Sequence, residues 1–125
     1  MPELRVTVVS IPVSDQERAR SFYRDVLGVE EVANVPYRDD LRWVQVRPPG
    51  STTSFTLVTW FPSMPAGSLQ GIVVETPDVQ AAYLELLRNG VHFTHEPRDE
   101  PWGTYTTFSD PDGNSFVLAQ ASSAG

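Results

Sequence analysis

Few side chains in this chain can do chemistry, and their spacing limits what that chemistry is. There is no cysteine among the 125 residues, which excludes disulfides, thiolate metal sites and a cysteine nucleophile. The two histidines are His92 and His95. On an extended segment their i, i+3 spacing turns them to opposite faces, so they cannot chelate one ion without a bend. With Glu96 and Asp99 they read as solvated residues of a proline-flanked loop, a histidine-carboxylate metal site being the alternative. Glu75 ends an apolar run and has three readings: a general base, a carboxylate that recognises a cationic ligand group, or a rim residue in water. The aromatic residues say more. Trp43 with Gln45 close by, Trp60, Trp102 and Tyr105 offer flat faces for an aromatic ligand, each good stack contributing about 0.5–1.5 kcal/mol beyond burial. Trp43 and Trp60 suit a subunit interface equally well, and Trp102 lies in a loop entering a strand.

A repeated element has to position these residues. Val8 to Asp15 (VVSIPVSD) is echoed by Gly71 to Asp78 (GIVVETPD), each an apolar run that ends in a turn signal and a helix-opening acid. The helical stripe Ala19, Phe22, Tyr23, Val26, Leu27 is reproduced by Val79, Ala82, Tyr83, Leu86, Leu87. Gly28 and Gly90 end the two helices, and the closing strand at Ser54, Phe55 and Leu57 (SFTLV) returns at Ser115, Phe116 and Leu118 (SFVLA). The pattern predicts two copies of a strand, helix and three-strand unit of about sixty residues. Ser14 and Glu17 form an S-x-x-E capping box, and Pro77 after Thr76 suits a first helical position. Asp110 to Asn114 (DPDGN) reads as a structural turn between strands rather than a metal site. A single domain over 1–125 is expected, with modules at about 1–61 and 69–120, a linker at 62–68 and a fraying polar tail from Ala121 to Gly125.

Strand parity then divides the sheet residues. Val9, Ile11, Phe55, Leu57, Ile72, Val74, Phe116 and Leu118 are uniformly apolar, as a face packed under a helix should be. The alternate set, including Val8, Ser10, Thr56, Trp60, Gly71, Val73, Glu75, Val117 and Ala119, mixes small, polar and aromatic side chains, which suits the wall of a cleft. Trp43 and Gln45 alternate with Val44 and Val46 and belong to the same side, as does Tyr105.

Composition narrows the partners. Nine basic against sixteen acidic residues give a net charge of −7, which repels a phosphate backbone and argues against nucleic-acid binding. The same charge either favours cationic ligands or simply keeps the surface soluble. No run of eighteen apolar residues exists and the N-terminus has no export-signal pattern, so no membrane association and a cytoplasmic location are expected.

At this point the motifs carry a family resemblance over nearly the whole chain. Ile11 to Gly28 (IPVSDQERARSFYRDVLG), Glu75 to Gly90, and Phe108 to Leu118 (FSDPDGNSFVL), in order and duplicated, resemble the vicinal oxygen chelate superfamily of glyoxalases, bleomycin-resistance proteins and extradiol dioxygenases. The resemblance implies an α+β fold of two tandem βαββ modules whose mixed sheet curls into a cleft, usually in a homodimer. It also implies where a metal would sit: early in each opening strand and in each closing strand, at Val8, Thr56, Gly71 and Val117. Two valines, a glycine and one neutral hydroxyl make a poor ligand set for a divalent ion, so neither a metal nor another cofactor is expected.

Pro101 to Asn114 (PWGTYTTFSDPDGN) and Arg38 to Asp40 are similar, more narrowly, to segments of metal-free bleomycin-resistance proteins, which stack a flat cationic drug on aromatic residues. Trp102 matches a stacking tryptophan. The function this implies is metal-independent binding of an aromatic, cationic small molecule, as antibiotic sequestration or self-resistance, with Trp43, Gln45, Thr56, Trp60, Glu75, Trp102 and Tyr105 as ligand-binding residues. The alternative is an enzyme of the same superfamily, a glyoxalase-like lyase or a catalyst using Glu75. A structural subunit whose aromatic patch meets protein is the third class.

Overall fold

Each helix begins at an aspartate. In the computed structural model, which describes residues 2–121, Asp15 is the N-cap of α1 (Gln16–Ser21) and its Oδ1 accepts from the Arg18 amide at 3.0 Å. The capping box expected at Ser14 and Glu17 therefore does not form. Aspartate caps as well as serine does, and the Ser14 hydroxyl is taken by the Arg18 guanidinium at 3.0 Å instead. Asp78 likewise caps α2 (Val79–Arg88) through the Ala81 amide at 3.0 Å. Pro77 thus precedes the helix rather than opening it, and the Val79 amide is satisfied by Gln120 Oε1 at 2.7 Å.

The chain divides into two compact units, Met1–Ala66 and Gly67–Gly125. In the first, β1 (Val8–Pro12), β2 (Glu30–Pro36), β3 (Arg42–Arg47) and β4 (Ser54–Val58) form a sheet in the order β1-β4-β3-β2. β1 runs parallel to β4 and the other pairs are antiparallel. α1 continues into a π-helical turn, Phe22–Val26, in which the Leu27 amide reaches back to the Phe22 carbonyl at 3.0 Å. The wider turn rotates the predicted stripe off register. Ala19 and Tyr23 are buried, while Phe22, Val26 and Leu27 are only half-buried. Ile11, Val44, Val46, Phe55 and Leu57, on the apolar parity side of the sheet, are buried, and α1 packs on β3 and β4.

In the second unit β5 (Ile72–Glu75), β6 (His92–Phe93), β8 (Gly103–Ser109) and β9 (Ser115–Ala121) take the order β5-β9-β8-β6, and the short β7 (Arg98–Glu100) also pairs with β8. The outer strand is thus split in two around Pro97. Under α2 lies a run of aromatic rings: Tyr83 to Phe93 at 4.8 Å, Phe93 to Phe108 at 5.8 Å and Phe108 to Phe116 at 5.2 Å between centroids. Leu87, predicted on the buried stripe, is 45% exposed.

The DPDGN turn has the structural role its sequence predicts. Asp110 Oδ1 accepts from the amides of Asp112 and Asn114 at 3.0 and 2.9 Å, and its Oδ2 accepts from the Asn114 side chain at 2.8 Å. Asn114 Oδ1 then accepts from the Leu69 amide at 3.0 Å. Gly67 at φ +82° lies against this turn so closely that a Cβ there would collide with the Asp112 carbonyl. Of the tail expected to fray, only Ala121, the last residue of β9, lies within the described residues.

Candidate functional site

The second unit gathers three of the predicted ligand residues on one face of its sheet. Ala119 in β9 pairs with Glu75 in β5 on one side and with Tyr105 in β8 on the other, and Tyr105 pairs in turn with Arg98 in β7. Directly paired residues share a face, so a carboxylate, a methyl, a phenol ring and a guanidinium stand in one cross-strand row. Trp102, on the turn that enters β8, is 54% exposed and its ring lies 5.5 Å from that of Tyr105 at 34°. Glu75 is exposed at the end of β5 and borders an open pocket of about 490 Å³ with Thr76, Pro77, Gln120 and Ala121.

His95 joins this group although it was expected to be a solvated loop residue. Its ring meets Tyr105 edge-on at 5.3 Å and 76°, and it is half-buried. His92 stays exposed on β6, paired with Ser109. Parity did not reach His95 because a bend at Thr94, His95 and Glu96 and then Pro97 interrupt the strand on which alternation depends.

The first unit brings together the other four. Ser10, Thr56 and Gln45 are cross-strand neighbours on β1, β4 and β3. Trp43 Nε1 donates to Gln45 Oε1 at 2.9 Å. Thr56 is fully buried and its hydroxyl is bonded to Ser10 Oγ at 3.2 Å, so its polar atom is already engaged within the chain. Tyr37, which the alternation does not single out, links the two tryptophans: its ring lies 5.7 Å from Trp43 and 5.1 Å from Trp60. Phe61 extends the cluster beyond Trp60 at 6.3 Å, and the Arg38 guanidinium sits 5.3 Å from the Tyr37 ring centre. The one sequence signal for Tyr37 is its place ahead of the Arg38-Asp39-Asp40 turn, where Asp39 takes a positive φ of 50°.

The four positions at which a metal would be expected do not fit one. Val8 and Val117 end in methyl groups and Gly71 has no side chain, while the Thr56 hydroxyl is held by Ser10. That donor set has none of the imidazole or carboxylate a divalent ion requires. Among the described residues, no three histidine, aspartate or glutamate side chains gather elsewhere.

The sequence model of the Glyoxalase/Bleomycin resistance protein/Dioxygenase superfamily matches residues 5–118. The chain belongs to this superfamily. Among superfamily structures, TnmS3, an antibiotic binding protein from Streptomyces sp. CB03234, is 45% identical, with 98% of this chain and 99% of that one covered and a TM-score of 0.91. A glyoxalase/bleomycin resistance protein from the same organism is also 45% identical, covering 93% of this chain and 100% of its own, with a TM-score of 0.84. A Bacillus subtilis (strain 168) relative, uncharacterized protein YetH, is 34% identical over 93% of this chain and 98% of its own length. The mixed sheets with few helices are those of the glyoxalase/bleomycin-resistance fold. No helix among the described residues is long and apolar enough to cross a membrane.

Proposed function

We propose that this superfamily member binds a planar aromatic, cationic small molecule without a metal and sequesters it, as protection against an antibiotic. The observation that carries the reading is the Trp102–Tyr105 aromatic pair on the same sheet face as the Glu75 carboxylate. The rings supply stacking surface and the carboxylate supplies charge for a cation. The 45% identity to an antibiotic binding protein supports the same reading. Sequestration is stoichiometric, so it needs affinity and no catalytic group. A lyase of the metal-dependent kind would need ligands that Val8, Thr56, Gly71 and Val117 do not provide.

A homodimer completes the proposal. Val35 and Val73 lie on the mixed faces of their sheets and are 49% and 57% exposed. Apolar residues left open on a sheet are commonly covered by a partner subunit. Light scattering should return twice the 13.9 kDa chain mass, and a monomer at micromolar concentration would remove this part of the reading. A cytoplasmic site of action suits a protein that intercepts a drug before it reaches its target.

Titration of the purified protein with planar cationic antibiotics, followed by tryptophan fluorescence and calorimetry, tests the function. Saturable quenching with one ligand per chain is expected. Absence of binding across a panel of planar cations would overturn the reading.

A further inference from the structure

His95 is held by three contacts of its own, and its loop by two more. Thr106 Oγ1 donates to its carbonyl at 2.6 Å, and the Thr94 amide and hydroxyl both reach the Thr107 carbonyl, at 2.9 and 3.3 Å. These bonds pin the backbone of the loop to β8. The imidazole Nδ1 lies 2.7 Å from the Glu96 carbonyl oxygen, and the ring rests edge-on against Tyr105. A carbonyl oxygen only accepts, so in the neutral imidazole Nδ1 carries the hydrogen and Nε2 the lone pair. No described residue donates to that nitrogen. A fixed, unpartnered acceptor therefore borders the Trp102–Tyr105 surface.

We propose that His95 reads the ligand: its Nε2 accepts a hydrogen bond from an N–H or O–H group on an aromatic molecule stacked on Trp102 and Tyr105. The site then prefers amino- or hydroxy-substituted planar rings to their alkylated counterparts. This rests on the reading that the aromatic pair binds ligand. Glu75, in the same cross-strand row, accepts from the cationic group, so the two residues recognise different parts of one molecule. Alkylating the donor leaves Nε2 without its partner while shape and charge are kept, which a charge-reading site alone would not notice.

Proflavine and acridine orange separate these effects, because they share a planar cationic tricycle but only proflavine carries primary aromatic amines. Calorimetry at neutral pH would compare both dyes on the unaltered protein, His95→Phe and His95→Gln. Phenylalanine keeps an edge-on ring against Tyr105 and removes the acceptor; the glutamine amide oxygen still accepts. We expect His95→Phe to weaken proflavine about 3- to 10-fold and acridine orange less than about twofold, with His95→Gln keeping most of the preference. Unchanged proflavine binding in His95→Phe, or equal loss of both dyes, would overturn the role of His95 alone. If neither dye binds the unaltered protein, the aromatic-ligand reading fails and this inference falls with it.

Discussion

Glu75 and Tyr105 face the same side of one sheet with only the methyl of Ala119 between them, because Ala119 pairs with both. Two strand spacings set them about 10 Å apart. Trp102 lies beyond Tyr105 and His95 edges it. An aromatic cation held on the rings can therefore reach the carboxylate without either side chain leaving the sheet face. The first unit carries a second aromatic group, Tyr37, Trp43 and Trp60, with the Gln45 amide bonded to Trp43 and the Arg38 guanidinium over Tyr37.

Trp102→Ala should cost affinity rather than stability. The residue is 54% exposed on a turn, so thermal unfolding should move little. Loss of one stack and its buried area should weaken a planar cation by roughly 1–3 kcal/mol, about 5- to 150-fold. Unchanged calorimetric affinity together with a large fall in Tm would make this tryptophan a structural residue.

Glu75→Gln keeps the shape of the site and removes its charge. A planar cation should bind about 3- to 10-fold more weakly, a modest loss because the group is exposed and screened, while a neutral planar compound should be unaffected. Equal effects on both ligands would show that the carboxylate does not read charge.

Purified protein should hold no stoichiometric divalent ion, since Val8, Gly71 and Val117 lack donors and Thr56 is engaged by Ser10. Elemental analysis decides this. One equivalent of zinc, nickel, iron or manganese per chain, lost on substitution of His92 or His95, would revive a metal enzyme.

Gly67→Ala should destabilise the protein by about 2–4 kcal/mol, because a positive φ and the Asp112 carbonyl both oppose a side chain there. Gly50 has a similar φ of +83° but open space around it, so Gly50→Ala should cost only about 1–2 kcal/mol. Chemical denaturation of the two variants measures the difference, and equal costs would show that the turn yields to Cβ.

Acid should weaken the first unit through Glu31. The hydrogen bond from Arg20 holds this carboxyl below its ordinary 4.5. A carboxyl lowered by folding contributes stability that is present above the unfolded value and is lost as pH falls through the folded one. Glu31→Gln should lower Tm by about 1–3 °C at neutral pH and make no difference in strong acid. A Tm gap that widened toward low pH would contradict the sign.

The duplicated pattern was enough to place the opening and closing strands and most of the helix-facing core, because period-2 and period-3.6 alternation report which side is dry, although Val9, Ile72 and Val74 on that side are only half-buried. Ile11, Phe55, Leu57, Phe116 and Leu118 are buried as that alternation requires. Helix starts were less legible: where two neighbouring residues can both cap, as at Ser14 and Asp15, the choice depends on what Arg18 does with the other. The π-helical turn at Phe22–Val26 could not be read from the stripe, whose spacing is that of an ordinary helix. Sequence also supplied the site candidates, through parity, at Trp43, Gln45, Thr56, Trp60, Glu75 and Tyr105, and through resemblance at Trp102. Only the tertiary structure decided their company. Cross-strand register set Ala119 between Glu75 and Tyr105, buried the Thr56 hydroxyl against Ser10, and brought Tyr37 and His95 to rings distant in sequence. Neighbours across a sheet are chosen by which strands pair and in what register, and a local pattern carries no record of that choice.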